Sequence, residues 1–355
     1  MTIAATISSL MSLAALFFRP VAGLFSDRYN RKRTILASNL LIALCLILMA
    51  VSNSVPMLVA IRLVHGVAFS FNSVALMAFN TVFIPKERLG EGIGWMALGN
   101  TVAQAFGPNI GIFLIDTGGY SLCFFTAAGI CLVGIIVILM MPYQTAERPD
   151  VEKRISFRSL ICVEIIPYAA ILCLFSVGSG LVSSMLVLLA DERGISNIGL
   201  FFTFYSITMV LIRPVAGKLV DSKGLPIVLY PSIIAFGLGF LILGQTSVFW
   251  LIILAAIMKA LGQGSGVPGI QSTTINIVGR EKAGLVSSTC FLGQDIGNTF
   301  GPMLGGIIAQ NYGFKTLYSG FSIVFIIAAC AIYYAIRLAE KSKKSARKWI
   351  ESDIQ

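Results

Sequence analysis

Ionisable side chains are scarce in this chain. Only 12% of its 355 residues are charged and a single histidine, His65, occurs, whereas 57% are apolar and the mean hydropathy is +0.88. A water-soluble globule carries about a quarter of its residues as charges, so a bilayer is the expected solvent. HExxH, GxSxG, a Walker A loop and paired CxxC cysteines are also missing, which removes the signatures of a zinc protease, a serine hydrolase, an ATPase and a thiol redox centre. The seven cysteines are scattered through apolar segments and read as small core residues. No cleavable leader is evident, since the first apolar segment exceeds a signal core and lacks a basic start.

What remains is a series of eleven apolar segments, near 3 to 25, 34 to 52, 57 to 83, 90 to 115, 120 to 141, 166 to 190, 197 to 219, 226 to 245, 248 to 277, 284 to 309 and 315 to 337. Each is long enough to span, and a span must close its own backbone hydrogen bonds as a helix because hydrocarbon offers no partner. Little chain lies outside them, so there is no room for a catalytic or nucleotide-binding domain and no enzyme is expected. Lys and Arg cluster in alternate connections, at Arg28 to Arg33, Lys86 and Arg88, Arg148 to Arg158, Lys218 and Lys223, Arg280 and Lys282, and Arg337 to Lys348. The opposite connections hold only Arg193 and Lys315. Basic loops stay cytoplasmic during insertion, which puts the C-terminus inside, and the net charge of +10 reports this topology. A nucleic-acid partner is not needed to explain it.

The chain repeats itself. Arg19-Pro20-Val21-Ala22-Gly23 and Asp27 recur 194 residues later as Arg213-Pro214-Val215-Ala216-Gly217 and Asp221. The same shift carries Glu87 and Gly90 onto Glu281 and Gly284, and Phe106-Gly107-Pro108 onto Phe300-Gly301-Pro302. The expected organisation is an N-terminal half over 1–141, a cytoplasmic linker over 142–165, a C-terminal half over 166–337 and a basic cytoplasmic tail over 338–355. Parallel repeats of this kind place a substrate site between the halves near the midplane. Shifted by 194, the segment 166 to 190 has no counterpart among these residues. A late start or a fragment would explain that gap, and a genuine eleven-helix protein is the alternative.

Gly23-Leu24-Phe25-Ser26-Asp27-Arg28-Tyr29-Asn30-Arg31-Lys32-Arg33 resembles the loop motif of the major facilitator superfamily, with Asn30 where a second glycine is usual. Asn tolerates a left-handed turn, so the departure is mild. The resemblance covers essentially the whole chain. It implies an all-α membrane protein with the major facilitator fold, two pseudo-symmetric six-helix halves with 11 of 12 transmembrane helices present. In the family this loop stabilises the outward-open state by docking on the other half, which makes Gly23, Asp27, Arg28 and Arg31 a conformational latch. The second copy, Gly217 to Gly224, is thinner in basic residues and is expected to play a lesser part.

Arg62-Leu63-Val64-His65-Gly66 looks like the family's R-x-x-Q-G element, whose arginine the family assigns to proton coupling, with His65 in the glutamine position. A buried arginine normally faces the bundle interior with a partner. Snorkelling to the near interface is the rival account of Arg62, and a satisfied helix histidine that of His65. Gly107-Pro108 and Gly111 resemble a degraded antiporter motif, and Gly297, Gly301-Pro302 and Gly305-Gly306 a complete one, a pattern for a bent, closely packed helix. Asp295 lies about eleven residues into its segment, roughly 16 Å deep. At that depth a carboxylate can bind and release a proton as access changes sides, or pair statically with Lys259, a second intramembrane charge. Glycines from Gly262 to Gly269 with Pro268 predict a broken helix, and Gln271, Thr274 and Asn276 beyond them are candidate substrate-lining residues.

The resemblance implies secondary active transport of a small molecule by alternating access, as proton-coupled efflux. Import of a sugar, nucleoside or organic anion, or an inactive fragment, is the alternative. No cofactor is expected, the proton gradient being the energy source. The expected setting is the plasma membrane, and the expected state a monomer.

Overall fold

The computed structural model describes residues 2–143, 160–195 and 197–353. Most of the linker read at 142–165 lies outside them, and so do the side chains of the far end of the tail. Nine helices follow one another: α1 (Thr2–Arg28), α2 (Arg31–Val51), α3 (Val55–Phe83), α4 (Leu89–Met140), α5 (Ile166–Glu192), α6 (Gly199–Lys223), α7 (Leu225–Gln245), α8 (Phe249–Val278) and α9 (Ala283–Asp353). Two of them fold back on themselves. Gly119 (φ 76°) breaks α4 and Gly313 (φ 77°) breaks α9, each in a backbone conformation that glycine adopts without penalty. The described residues therefore make eleven helical passes, in the places where apolar segments were expected.

One expectation needs correcting. Helix α8 is continuous from Phe249 to Val278 in spite of Pro268 and its glycines. Those glycines serve packing instead: a methyl at Gly262 would meet the Ser232 carbonyl and Phe236 of α7, and one at Gly266 would meet Phe175 of α5. Beyond the last pass, α9 runs on as helix to Asp353 through a stretch without glycine or proline.

Helix pairs repeat across the two halves. Helix α1 packs on α3 and on the first arm of α9, while α6 packs on α8 and on the first arm of α4. Connections α1–α2, α3–α4, α6–α7 and α8–α9 gather on one face, the basic face. The C-terminal half has the denser core, with Phe175, Phe236, Phe240, Phe325 and Tyr318 fully buried and in ring contact. In the N-terminal half, Met77, Ala78, Leu89 and Ile93 join that core, and the other buried apolar residues form small groups such as Cys45, Met49 and Ile61.

The two copies of the glycine-proline pattern show why. A methyl on Gly297 or Gly301 would strike the Cys173, Ser176 or Val177 atoms of α5, and Gly305 meets Leu181 in the same way. Pro302 packs on Gly180 of α5, and Gly306 has Met185 at ordinary contact distance. Among the described residues, a methyl at Gly107 or Gly111 would meet nothing within 4 Å. The open face of α4 corresponds to the face of α9 that α5 covers. Without a hydrophobic driving force between helices in lipid, small residues that admit close approach carry such contacts. Gly297→Ala should therefore lower stability by about 1–3 kcal/mol through overpacking, while Gly107→Ala should leave it unchanged. Thermal unfolding in detergent of both variants checks the contrast.

Candidate functional site

The halves meet through two carboxylates. Asp27, in the last turn of α1, accepts hydrogen bonds from the backbone N–H groups of Gly284 and Leu285, both at 2.7 Å, at the start of α9. Asp221, in the last turns of α6, accepts from Gly90 and Glu91 at 2.7 and 2.9 Å, at the start of α4. The four donors are related by the same 194-residue shift as the two acids. A helix N-terminus presents unpaired N–H groups and a partial positive charge, so a carboxylate aimed at it makes two charge-assisted bonds at once. Glycine is required on both sides of each contact. A methyl at Gly23 would overlap Ser288, and one at Gly217 would overlap the Gly90 and Glu91 backbone.

The Asp221 contact thus has the same core geometry as the Asp27 contact, which the thin basic content of its loop had not suggested. The two differ in what surrounds them. Arg31 is buried and donates to Asp27 at 3.1 Å, to the Ala78 carbonyl at 2.9 Å, and across the interface to the Arg280 and Glu281 carbonyls at 3.1 and 3.2 Å. Arg280 answers by donating to the Thr81 and Ile84 carbonyls at 2.8 and 2.6 Å. The position matching Arg31 is Leu225, so the Asp221 side has no such hub. Instead Glu91 pairs with Arg88 at 2.8 Å and Lys218 at 3.6 Å. Arg28 closes the last turn of α1. Asn30 is not left-handed (φ −65°) and caps α2 by accepting from Arg33 N–H at 3.1 Å.

Deeper in the bundle, Asp295 of α9 is paired with Arg19 of α1, Nε to Oδ2 at 2.8 Å. In the sequence Arg19 stands out only as part of the repeat. It is 3% exposed, also donates to Ser73 Oγ, and stacks over Phe291 and Phe69 at 4.7 and 5.5 Å. Asp295 keeps 22% of its side chain accessible. Every described hydrogen bond between the halves lies at this level or nearer the basic face.

Lys259 is not the partner of Asp295. Its ammonium donates to Gln263 at 2.9 Å and lies 4.2 Å from the Tyr205 ring centroid. Among the described residues Arg62 makes a hydrogen bond to the Met11 sulfur, at 3.9 Å, and His65 is buried with no hydrogen-bond partner at Nδ1. Among the lining candidates, Gln271 and Thr274 are buried whereas Asn276 is exposed. Gln271 lines a small cleft with Ser287, Cys290 and, from the other half, Met77. Thr274 donates to carbonyls of its own helix. The structure thus joins the latch residues and Asp295 into one interface and leaves Arg62 and His65 apart from it. Replacing both Asp27 and Asp221 with Ala should loosen the basic face and expose Cys290. Faster maleimide labelling of Cys290, in a chain whose other cysteines are replaced, measures this, with each single variant intermediate.

The sequence pattern of the Major Facilitator Superfamily matches residues 1–196 and 168–352. Multidrug resistance protein MdtG of Escherichia fergusonii is 24% identical over 343 residues, covering 93% of this chain and 81% of that protein. MdtG of Proteus mirabilis is 27% identical over 334 residues, covering 89% and 79%. Of solved structures, the human organic anion transporter MFSD10 superposes with a TM-score of 0.77 at 17% identity, over 92% of this chain and 82% of its own. The proton:xylose symporter XylE gives 0.72 at 12%, over 92% and 85%. With two halves joined by a repeated loop motif and a pattern matched from end to end, this integral membrane chain belongs to the Major Facilitator Superfamily of transporters.

Proposed function

We propose that the protein is a proton-coupled exporter of small molecules that works by alternating access, with Asp295 as the proton site. The observation that carries this reading is the Arg19–Asp295 pair, which ties one half to the other inside the membrane. The basic loops assign the basic face to the cytoplasm. Both latches and the ion pair then hold the cytoplasmic side closed, and the conformation is outward-open. The relatives named for multidrug resistance support export as the direction.

The cycle follows from the electrostatics. A charge pair taken out of water is stable only while both members are ionised. A proton arriving from outside neutralises Asp295 and leaves Arg19 without its counterion, which removes the deepest tie between the halves. The latches then separate, the cavity opens inward, and the proton leaves to the more alkaline cytoplasm as substrate enters. Once ionised, Asp295 regains Arg19, and the restored pair draws the cytoplasmic side shut around the outgoing substrate. One proton moves in as one molecule moves out. Arg19, rather than Lys259, serves as the counterion in this scheme.

Everted vesicles with an acidic interior should accumulate members of a panel of fluorescent drugs carrying either charge. In Asp295→Asn, a fixed copy of the protonated state, that accumulation should fall to the equilibrium level while gradient-independent counterflow persists. Accumulation that is unaltered in Asp295→Asn would remove the coupling role, and accumulation only when the gradient is reversed would make the protein an importer.

A further inference from the structure

The repeat relating the two halves is broken where charge matters most. Arg19 and Arg213 occupy matching positions, but the position matching Asp295 is Thr101, since 295 minus 194 is 101. Thr101 is buried and donates to the Ala97 carbonyl of its own helix at 3.2 Å. Arg213 therefore lacks the carboxylate that its twin possesses. Its Nε and Nη1 are buried without a hydrogen-bond partner, although the residue as a whole is only half-buried.

A second basic side chain lies on the facing helix, α8. Lys259, 3% exposed, matches His65 in the other half and has only Gln263 as a hydrogen-bond partner, at 2.9 Å. Tyr205 of α6, whose ring lies under Lys259, donates its hydroxyl to the same Gln263 oxygen at 2.9 Å. The shift that maps Arg19 onto Arg213 also maps Phe69, which lies beneath the Arg19 guanidinium, onto Gln263. Gln263 thus connects the Lys259 ammonium of α8 with the Tyr205 hydroxyl of α6. Among the described residues no ion pair reaches Arg213 or Lys259. Two intramembrane cations without a counterion are expensive in stability, and intramembrane charges without a protein partner mark ligand paths.

We infer that Arg213, with Lys259 as a second basic group on the facing helix, is the recognition site for the anionic group of the transported molecule, a carboxylate or phosphonate that takes the place Asp295 holds beside Arg19. The fork of Arg213 suits either oxyanion. This rests on the reading of the chain as a small-molecule transporter, and it divides the labour: the N-terminal arginine is neutralised by the protein's own acid, the C-terminal one by the substrate.

Thermal unfolding of the full chain in detergent tests it, with benzoate, salicylate and phenylphosphonate set against benzamide, salicylamide and dimethyl phenylphosphonate. The acids should stabilise the protein and the neutral analogues should not. Arg213→Gln should weaken the response at least about tenfold, the order of one charge-assisted hydrogen bond, and Arg213→Lys should retain part of it. Thr101→Asp supplies an internal carboxylate, so it should raise the unfolding temperature without ligand and abolish the response to acids. The inference falls if no acid stabilises the protein more than its neutral analogue, or if Arg213→Gln responds as the unaltered chain does. Anion-dependent stabilisation without proton-driven transport would sink the exporter reading alone, and gradient-driven transport without any anion response would sink this inference alone.

Discussion

A carboxylate that accepts two N–H groups from the first turn of a helix requires that helix to come within 3 Å of its oxygens. Asp27 and Asp221 impose this on both sides of the interface between the halves, and the glycines opposite them exist because nothing larger leaves room. The contact is strong, because each acid meets an intact helix dipole, and it is also reversible. Water on an opened face could solvate the same acid and the same N–H groups, so closing and opening exchange one set of hydrogen bonds for another. That balance suits the proposed rocking motion, in which these contacts would form and break in each cycle.

Above the gate, symmetry gives way to chemistry. Duplication would place equal charges in the two halves, and the basic-face contacts largely keep that equality. The membrane interior does not: the arginine before each Pro-Val-Ala-Gly stretch is retained, but only one has an acid. A stable, static protein would neutralise both, since an uncompensated charge in a low dielectric costs more than any packing around it recovers. Retaining the imbalance fits the proposed arrival and departure of a proton and an anionic substrate in each cycle.

Much of the architecture was legible in the chain. Segment lengths, the 194-residue repeat and the Asp27 loop motif led to the fold, and Asp295 stood out because an acid is conspicuous among apolar residues. Its partner did not. Arg19 sits within a repeated string at the end of a helix that packs on α9 only after the halves assemble, so the choice between Arg19 and Lys259 depended on a contact spanning 276 residues. The broken-helix reading of α8 failed for a related reason. Glycine and proline weaken an isolated helix, but α5 and α7 press into the notches the glycines leave, and α8 stays continuous.

The sequence by itself determined which stretches are helices, that a bilayer surrounds them, how the loops are sorted by charge, and that two halves share one plan. Those properties are local or periodic, and they follow from hydrocarbon's refusal of bare backbone and of charge. Only the tertiary structure decided which charges are neutralised: that Asp27 and Asp221 each cap a helix of the opposite half, that Asp295 belongs to Arg19, and that Arg213 and Lys259 are left without an acid. Pairing energy falls off within a few ångströms, so it is settled by which helices touch, and one chain's order along a line does not contain that.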